Sequence, residues 1–538
     1  MQRLFCFGEK MNVGRPVIYT PYNYIDRDNV LEVVRKTFSK FQIVAGECQY
    51  LIDYNDNKQP SLRESVEKKV MSWIDFQLVD GIPDEIVSFW TGFSWGFPIS
   101  YVQRGDSDQD NGKADGIAEL NNNFSMAGNP KKLQELAYFL MRCGIGYTYV
   151  DINTEWEEGE AYFTKDVLDP RNTYIVRSSF FPDKRKILGV SCRKDEDNNF
   201  YITAFSKDER YEISARPIKK GKNTGRDDYY EKFYDFSHMI RSGEENPLHR
   251  IPIIEHIRDI DRTGVFEKQI PSIDTLNMML SDIMNGIDQG IQAYFWTNDV
   301  DLEKVEVKDD EGNITLQRKK PQAGDWLHTQ TLPNGTQPKI QPLYLDYHLG
   351  DMQNNYMSQR MLILQKCHVP QRNDNSGGST GVAMDSAAGW SDAENIASAL
   401  ENVTVGCQME ELKVVLSAIK ESPDISQDNP MLSLLVSDIQ LSIRRPKNFE
   451  ITNKVNSIAT LLSHGFSLED CVSNIPLFQD ATQVIARSGD GVRKYQETIW
   501  QEENEAEGGD GESAPNADRI MQDLSDQTDN SPALQNIS

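Results

Sequence analysis

Few residue patterns in this chain of 538 residues could carry out chemistry. A phosphate-binding loop needs an upstream glycine and a Gly-Lys pair followed by Ser or Thr, whose backbone amides and hydroxyl hold phosphate and magnesium. Gly112-Lys113 and Gly221-Lys222 lack both the upstream glycine and the hydroxyl residue. The 7 histidines have no metal-ligand spacing, and neither HExxH nor GxSxG occurs. We therefore predict no catalytic residue, no metal site and no cofactor.

Charge and cysteine content restrict the partners and the compartment. Lys and Arg total 56 against 83 Asp and Glu, a formal net charge of -27. A protein that grips DNA needs basic stripes that neutralise phosphates. Two interpretations of the acidic excess stay open: a solvated surface that keeps the protein soluble, or a wall that lets DNA pass without holding it. The 7 scattered cysteines indicate free thiols in a reducing compartment, and no apolar run of about 20 residues predicts a membrane span.

The first 250 residues have the mixed periodicity of an α+β region. Apolar residues at helical spacing occur over 27–90 and 131–142, with Gly144 as a helix C-cap. Alternating apolar residues predict strands at 173–176, 187–192, 200–205 and 210–215.

Two long amphipathic helices are predicted in the middle of the chain. The first begins near Pro271 and continues to Phe295, with an apolar stripe formed by Ile273, Leu276, Leu280, Ile283 and Ile287. The second runs from Leu343 to Lys366 and stops before Val369-Pro370. Between them, alternating residues on both sides of an acidic turn at 309–313 predict a β-hairpin.

A glycine-rich polar loop, Gln371–Gly381, follows the second helix. By composition it is a linker, a phosphate cradle or a moving loop, and the missing Lys-Ser/Thr ending disfavours the phosphate cradle. A helix is then expected from Val382 to about Lys420, with Gly389 and Gly406 as sites where it can kink. The acidic segment 501–538 has almost no apolar residues and is predicted to be disordered.

Several short sequences, in this order along the chain, resemble the portal proteins of long-tailed double-stranded DNA phages. They are GFSWGFPISY at 92–101, CGIGYTYV at 143–150, Asp169-Pro170, IPIIE at 251–255 with Gly264 and Ile273-Asp274, and STGVAM at 379–384. The resemblance implies a multi-domain α+β portal fold. Its parts would be a wing (1–268), a first stem helix (269–297), a clip (298–342), a second stem helix (343–369), a tunnel loop (370–381), a kinked wing helix (382–420), a crown (421–500) and the acidic tail (501–538).

The resemblance also implies partners and residue roles. The family forms a closed ring of about twelve subunits at one capsid vertex, through which double-stranded DNA is packaged and ejected. Its implied partners are the terminase large subunit, major capsid and scaffolding proteins and a head-to-tail adaptor, with no membrane. The protein would assemble in the host cytoplasm and reside in the virion. Implied DNA contacts come from Gln371, Arg372, Asn373, Asn375, Ser376, Gly377, Gly378 and Ser379. Implied docking residues of the clip are Arg318, Lys319, Lys320 and Trp326.

Other interpretations remain open from the residues alone. The five stripe residues of the first helix are expected to pack against a second helix or a neighbouring subunit. Asp274, Asp282 and Asp288 are candidates for a channel or intersubunit face. A structural connector or capsid protein without a channel is one alternative function. A packaging ATPase or nuclease is another, and it lacks both a phosphate loop and a carboxylate metal cluster.

Overall fold

A computed structural model describes residues 13–59, 76–104, 113–182, 184–197, 199–217, 234–291, 294–298, 304–308, 314–318, 339–343, 349–371, 389–443, 445, 457–462 and 471. The chain divides into two compact units, Met1–Phe449 and Glu450–Ser538. Of the second unit, the structure describes a short helical segment at 457–462 and the buried Cys471. No helix among the described residues is both long and apolar enough to cross a membrane.

The described helices and strands mix throughout the first unit, which confirms the predicted α+β class. The first part contains β1 (Ile18–Thr20), α1 (Val30–Asn55), α2 (Ile82–Trp95), β2 (Ser100–Gln103), α3 (Lys113–Met126), α4 (Asn129–Cys143), β3 (Ile145–Ile152), β4 (Phe163–Leu168), β5 (Thr173–Ser178), β6 (Lys186–Lys194), β7 (Phe200–Phe205), β8 (Glu209–Pro217), β9 (Tyr234–Glu245) and β10 (Ile253–Ile257). The rest contains α5 (Ile270–Ile291), β11 (Tyr294–Asn298), β12 (Lys304–Lys308), β13 (Ile314–Arg318), β14 (Lys339–Leu343), α6 (Leu349–Lys366), α7 (Trp390–Glu421) and β15 (Ile439–Ser442).

Helix α1 packs on a six-stranded sheet of order β1-β5-β6-β7-β8-β9. Strand β1 is parallel to β5, and the other neighbours are antiparallel. Alternate residues of a strand point to the same face, so aromatic residues of the sheet meet those of the helix. The Phe41 ring stacks on Tyr174 at 4.4 Å, and Phe38 meets Phe200 edge-on at 5.1 Å. The four strands predicted between 173 and 215 are confirmed.

A second sheet of order β10-β3-β4 is packed by helices α4 and α7. The turn from α4 into β3 requires a glycine. Gly144 has φ 76°, and a Cβ added there would lie 2.4 Å from the backbone of Arg262. The predicted helix C-cap at Gly144 is therefore confirmed, and its steric reason is the close approach of the chain before α5.

A strand at Ile439–Ser442 belongs to the first unit. It forms β15 and pairs antiparallel with β2, while the turn Pro430–Ser433 packs against α3. The second unit begins at Glu450, and the crown over 421–500 stays a prediction. The pairing partner of β15 is distant in sequence, and local periodicity carries no information about it.

The two central helices are shorter than predicted. Helix α5 ends at Ile291, and Phe295, predicted as helical, lies in β11. Leu343, predicted as the start of the second helix, lies in β14, which pairs antiparallel with β11. The run Tyr-Phe-Trp-Thr in β11 consists of aromatic and β-branched residues that favour a paired strand over a helix end. The predicted hairpin is confirmed, because β12 pairs antiparallel with β13.

One other helix prediction needs correction. Residues 76–81, predicted as part of a helical region over 27–90, are not helical. Of the helix expected from Val382 to about Lys420, the structure describes α7 from Trp390 onward, and the left-handed φ of 86° at Gly389 breaks a helix at that position. Gly406 lies inside α7. Residues 382–388 and the acidic segment 501–538 lie outside the described residues.

A buried charge cluster fastens α7 to the second sheet. The Lys165 ammonium of β4 bonds to the Glu411 carboxylate of α7 and to Asn129 Oδ1 at 2.6 Å. Thr148 Oγ1 donates to Glu411 Oε2 at 2.8 Å, and His256 Nε2 lies 3.1 Å from the same oxygen. Burial alone would raise the pKa of Glu411, but Lys165 and His256 outweigh burial and hold its pKa well below the usual range. The carboxylate is therefore ionised and its charge is fully partnered.

We expect Lys165→Met to destabilise the first unit by about 3–5 kcal/mol, because it leaves the Glu411 charge buried without its main partner. Urea unfolding of the full chain at pH 7 measures this loss. The matched control is Lys186→Met, which breaks the half-exposed ion pair with Glu410, the residue next to Glu411. That pair is solvated, so its loss should cost no more than about 1 kcal/mol. Equal losses for the two variants would contradict the role given to the buried cluster.

A second buried cluster ties the start of the chain to the segment before α5. Arg15 bonds to the Glu267 carboxylate, and its Nε lies 3.3 Å from Glu47 Oε2 on α1. The backbone amides of Gly14 and Gly264 donate to Glu267 at 2.9 and 2.8 Å. Burial raises the pKa of Glu47 to about 7, since nearby Glu267 adds repulsion and Arg15 only partly offsets both.

Glu47 should make stability depend on pH between about 4.5 and 7. Its pKa in the folded protein lies above the ordinary value of 4.5, so the folded state binds more protons than the unfolded state in that window, and stability falls as the pH rises. We expect Glu47→Gln to flatten this slope and to stabilise the protein above pH 7. Urea unfolding between pH 4.5 and 8 measures it, with Glu32→Gln, a partly exposed residue of the same helix, as control. An unchanged slope in Glu47→Gln would refute the assignment.

Candidate functional site

The two central helices, α5 and α6, pack against each other along their apolar sides. Ile273 and Leu276 of the predicted stripe are fully buried. Further along α5, the stripe residues become half-buried: Leu280, Ile283 and Ile287. The buried fraction therefore declines from the first turn of α5 towards its end.

A non-helical strap, defined as residues Phe76–Gly81, follows the polar side of α5. Its alternate backbone amides donate to side chains on successive turns of the helix. The amide of Asp80 donates to Asn277 Oδ1 at 3.0 Å, that of Leu78 to Ser281 Oγ at 3.0 Å, and that of Phe76 to Asn285 Oδ1 at 2.8 Å. Two residues of near-extended chain and one helical turn both advance roughly 6 Å, so every second amide of the strap lies opposite a side chain on the next turn of α5.

Asp80 connects the strap to the second helix as well. Its carboxylate accepts from Tyr356 Oη at 2.6 Å and from Arg360 Nε at 3.1 Å, and both donors belong to α6. The Arg360 guanidinium also contacts Glu85, at the start of α2. Burial and the Asp80 carboxylate raise the pKa of Tyr356, so its hydroxyl keeps the proton that it donates. Asp80 alone therefore bonds the strap to both central helices, through its amide to α5 and through its carboxylate to α6.

The acidic residues of α5 do not form one face. Tyr54 Oη of α1 donates to Asp274 Oδ1 at 2.8 Å, so Asp274 points towards α1 of its own subunit. Burial and this carboxylate raise the pKa of Tyr54 above its ordinary value. Asp282 is exposed, and the side chain of Asp288 lies outside the described residues.

Helix α2 anchors both ends of the glycine-rich loop. Before the loop, Trp90 Nε1 donates to the carbonyl oxygen of Cys367 at 2.9 Å. After the loop, the Trp390 ring packs against Phe89 and Phe93 at centroid distances of 6.0 and 5.9 Å. His368 Nδ1 and Asp392 Oδ2, 2.7 Å apart, join the two ends directly. Gln371 Nε2 donates to the carbonyl oxygen of Met361 at 3.2 Å.

The exposed face of α6 is almost uncharged. Its exposed charged residues are Asp351 in the first turn and Lys366 in the last, whereas the exposed polar residues between them are amides and a hydroxyl: Gln353, Asn354, Asn355, Ser358, Gln359 and Gln365. Such side chains can donate hydrogen bonds to water or to phosphate oxygens, but they carry no charge and so add no charge–charge attraction to phosphates. This composition stands out in a chain with a net charge of -27.

Most other predicted site residues lie outside the described residues. These are Arg372, Asn373, Asn375, Ser376, Gly377, Gly378 and Ser379 of the loop, and Lys319, Lys320 and Trp326 of the clip. Arg318 is the last residue of β13, and its side chain is outside the described part. Within the described ranges, no group of His, Cys, Asp and Glu could hold a metal ion.

The strap is the element that sequence reasoning missed. Asn277, Ser281 and Asn285 recur every four residues and therefore form a polar stripe on α5 that the sequence displays. A stripe of this kind normally faces solvent, so it does not reveal that a segment nearly two hundred positions earlier supplies its donors.

We expect replacement of the two end residues of the ladder, Asn277 and Asn285, by alanine to have graded effects. Asn277→Ala should cost about 1–3 kcal/mol of unfolding free energy, because it leaves the Asp80 amide unsatisfied beside a buried helix face. Asn285→Ala, at the exposed end, should cost less than about 0.5 kcal/mol. Hydrogen exchange of the strap amides locates the effect, with faster exchange at Asp80 in the first variant. Equal effects at both ends would show that the ladder does not hold the strap.

One solved structure and one protein family are similar to most of the chain. A solved structure titled "Neck of empty GTA particle computed with C6 symmetry" is 9% identical, with 74% of this chain and 90% of that chain covered, at a TM-score of 0.36. That similarity is too weak to carry an argument, and no curated protein matches. A family described as "Phage portal protein, SPP1 Gp6-like" matches residues 53–504. Because this match spans most of the 538 residues, the chain belongs to the phage portal protein family and is a structural head-to-tail connector of bacteriophage.

Proposed function

We propose that this portal protein forms a closed ring at one capsid vertex and that double-stranded DNA passes through its centre during packaging and ejection. Membership of the portal family supports an oligomeric ring and association with the capsid. A ring of identical subunits also gives the half-buried part of the α5 stripe a second surface to pack against. The predicted parts (wing, stem, clip, tunnel loop and crown) are retained in this proposal, with the crown over 421–500.

The observation that carries the proposal is the almost uncharged exposed face of α6. DNA that moves must not be held, and a lysine or arginine face would bind phosphates with high affinity. An acidic face would repel the duplex and raise the free energy of its entry. The uncharged side chains on the exposed side of α6, which include Met357, Met361 and Leu362 beside the amides and the hydroxyl, do neither, so this side of α6 suits a channel wall.

The anchoring of the loop ends supports a local contact with DNA. Cys367 and Trp390 are both held by α2, so the residues that flank the loop on each side are fixed in place. We propose that Gln371–Gly381, with Arg372 as its cation, touches the phosphate backbone in the channel. A single arginine per subunit makes such contacts weak and salt-dependent.

The remaining assignments extend the family role. The clip (298–342) is proposed to bind the terminase large subunit during packaging and a head-to-tail adaptor afterwards. Capsid and scaffolding proteins would contact the ring during assembly in the host cytoplasm. We propose no catalytic activity for the chain itself. The energy for DNA movement would come from the terminase.

Imaging tests whether the protein forms a ring with a channel. Negative-stain images of the purified protein should show rings of about a dozen subunits with an axial hole, and a stable monomer would overturn the proposal.

A packaging assay tests whether α6 lines that channel. Asn354→Lys combined with Ser358→Lys places two cations on the exposed face of α6 in every subunit. We expect nuclease-protected DNA per particle to fall by about tenfold or more, because the lysines bind passing phosphates.

The matched control has the same spacing and charge on another helix. Asn395→Lys with Ala399→Lys adds two lysines, also four residues apart, at exposed positions of α7. This control should package normally. If the α6 variant forms rings and packages as much DNA as the control, α6 does not line the channel.

A further inference from the structure

In the described part of the chain, an exposed aromatic surface lies at one end of the six-stranded sheet, away from the helix pair. We name it the aromatic–basic tip and define it by Tyr19, Tyr24, Phe180, Phe181, Lys184 and Arg185. The Phe181 side chain is 85% exposed, Tyr24 68% and Phe180 59%. Single exposed apolar residues are ordinary, but two large aromatic rings in the β5–β6 turn and a third, Tyr24, in the neighbouring β1–α1 segment are typical of a protein contact.

The members of the tip are held together by defined contacts. The Ser179 amide donates to the Thr20 carbonyl at 2.9 Å, so the β5–β6 turn lies against the end of β1. The Lys184 ammonium lies 5.8 Å from the centre of the Tyr19 ring, and Arg185 donates to the Asn23 carbonyl at 3.2 Å. The tip therefore offers apolar rings flanked by two cations.

A complementary surface lies in the β3–β4 turn. We name it the acidic loop, and it comprises Glu155, Trp156, Glu157, Glu158 and Glu160. The four carboxylates are exposed, and in the described part of the chain none is paired with a cation. Trp156 stacks on Tyr162 at 5.3 Å and donates to the Glu160 carbonyl at 2.8 Å, which fixes the loop's conformation. The acidic loop thus presents four charges around an aromatic ring.

The strand directions place these two surfaces at opposite ends of the fold. Ile175 packs with Ile253, and Arg177 bonds to Glu255 at 2.8 Å, so β5 and β10 run in the same direction. The end of β5, which leads into the tip, therefore lies beside the end of β10. That end of β10 pairs with Ile145, the first residue of β3. The acidic loop follows the other end of β3, roughly 23 Å away along the strand.

We propose that the aromatic–basic tip of one subunit docks on the acidic loop of the next subunit around the ring. A ring with cyclic symmetry needs two different, complementary surfaces on each subunit, placed so that one faces forward and the other back. The tip and the loop meet this need in charge, in aromatic character and in position. The inference rests on the ring proposed above and assigns one of its contacts.

Charge exchange between the two surfaces tests the docking. Lys184→Glu with Arg185→Glu places two carboxylates on the tip, which then repel the four carboxylates of the acidic loop. We expect the protein concentration at half-assembly, measured by analytical ultracentrifugation, to rise by at least about tenfold. Glu157→Lys with Glu158→Lys brings the acidic loop from four negative charges to a net charge of zero, so it should also weaken assembly, but by less. Combining all four changes faces the two new carboxylates with a loop that carries two lysines and no net charge, which removes the repulsion of the first variant, and assembly should recover at least to the level of the Glu157→Lys, Glu158→Lys variant.

Two further variants separate the contact from general effects. Arg193→Glu with Lys194→Glu makes the same change in net charge at the far end of β6, where both residues are exposed, and it should assemble normally. Phe181→Ala cannot disturb a core because the side chain is exposed, and it should weaken assembly in the same direction. Normal assembly of both charge-reversal pairs, or failure of the four-fold variant to recover, would overturn the docking while the ring stands. If the unchanged protein forms no ring, the proposed function itself fails.

Discussion

The strap needs hydrogen-bond partners for its backbone amides, and this need determines how the two central helices stand together. A non-helical segment packed beside a helix cannot leave its amide groups without acceptors, since each buried unsatisfied donor costs about 1–3 kcal/mol. Asn277 and Ser281 supply acceptors from α5, and Asp80 turns the same segment towards α6. The helices are therefore positioned by a third element and not by their apolar stripe alone. An apolar stripe permits sliding, whereas this ladder accepts a single register.

The buried charge clusters likewise fix how elements distant in sequence pack against each other. Lys165 and Glu411 join the second sheet to α7, and Arg15 with Glu267 joins the start of the chain to the segment before α5. Buried ion pairs contribute little net stability compared with apolar contacts, but an incorrect register leaves their charges unpartnered. They therefore select one arrangement of the elements that they join. Helix α2 is the point where this arrangement meets the loop, through its contacts with Cys367 and Trp390.

Local sequence patterns predicted much of the fold, and their failures share a cause. Strands with clear alternation, the β12–β13 hairpin and the glycine C-cap at Gly144 depend on neighbouring residues, so they were found. The end of α5 was missed because Phe295 continues the helical spacing, although pairing with β14 makes it a strand. The β2–β15 pairing and the strap depend on residues far away in sequence, and no local period reports them. Of the site, the stripe and the loop were visible, while the anchors that hold the loop were not.

The acidic excess of the chain left two interpretations open, a solvated surface or a wall that repels DNA. The outer face of α6 favours a different arrangement, in which the proposed channel wall is neutral and the excess charge lies elsewhere. Charges more than about 8–10 Å away are largely screened at physiological salt, so an acidic exterior has little influence on DNA behind a neutral helix. DNA can then pass without being bound tightly, because the uncharged amide side chains form similar hydrogen bonds with water and with phosphate oxygens. The acidic surface remains free for other contacts, among them the proposed docking of Glu157 and Glu158 against Lys184 of a neighbouring subunit.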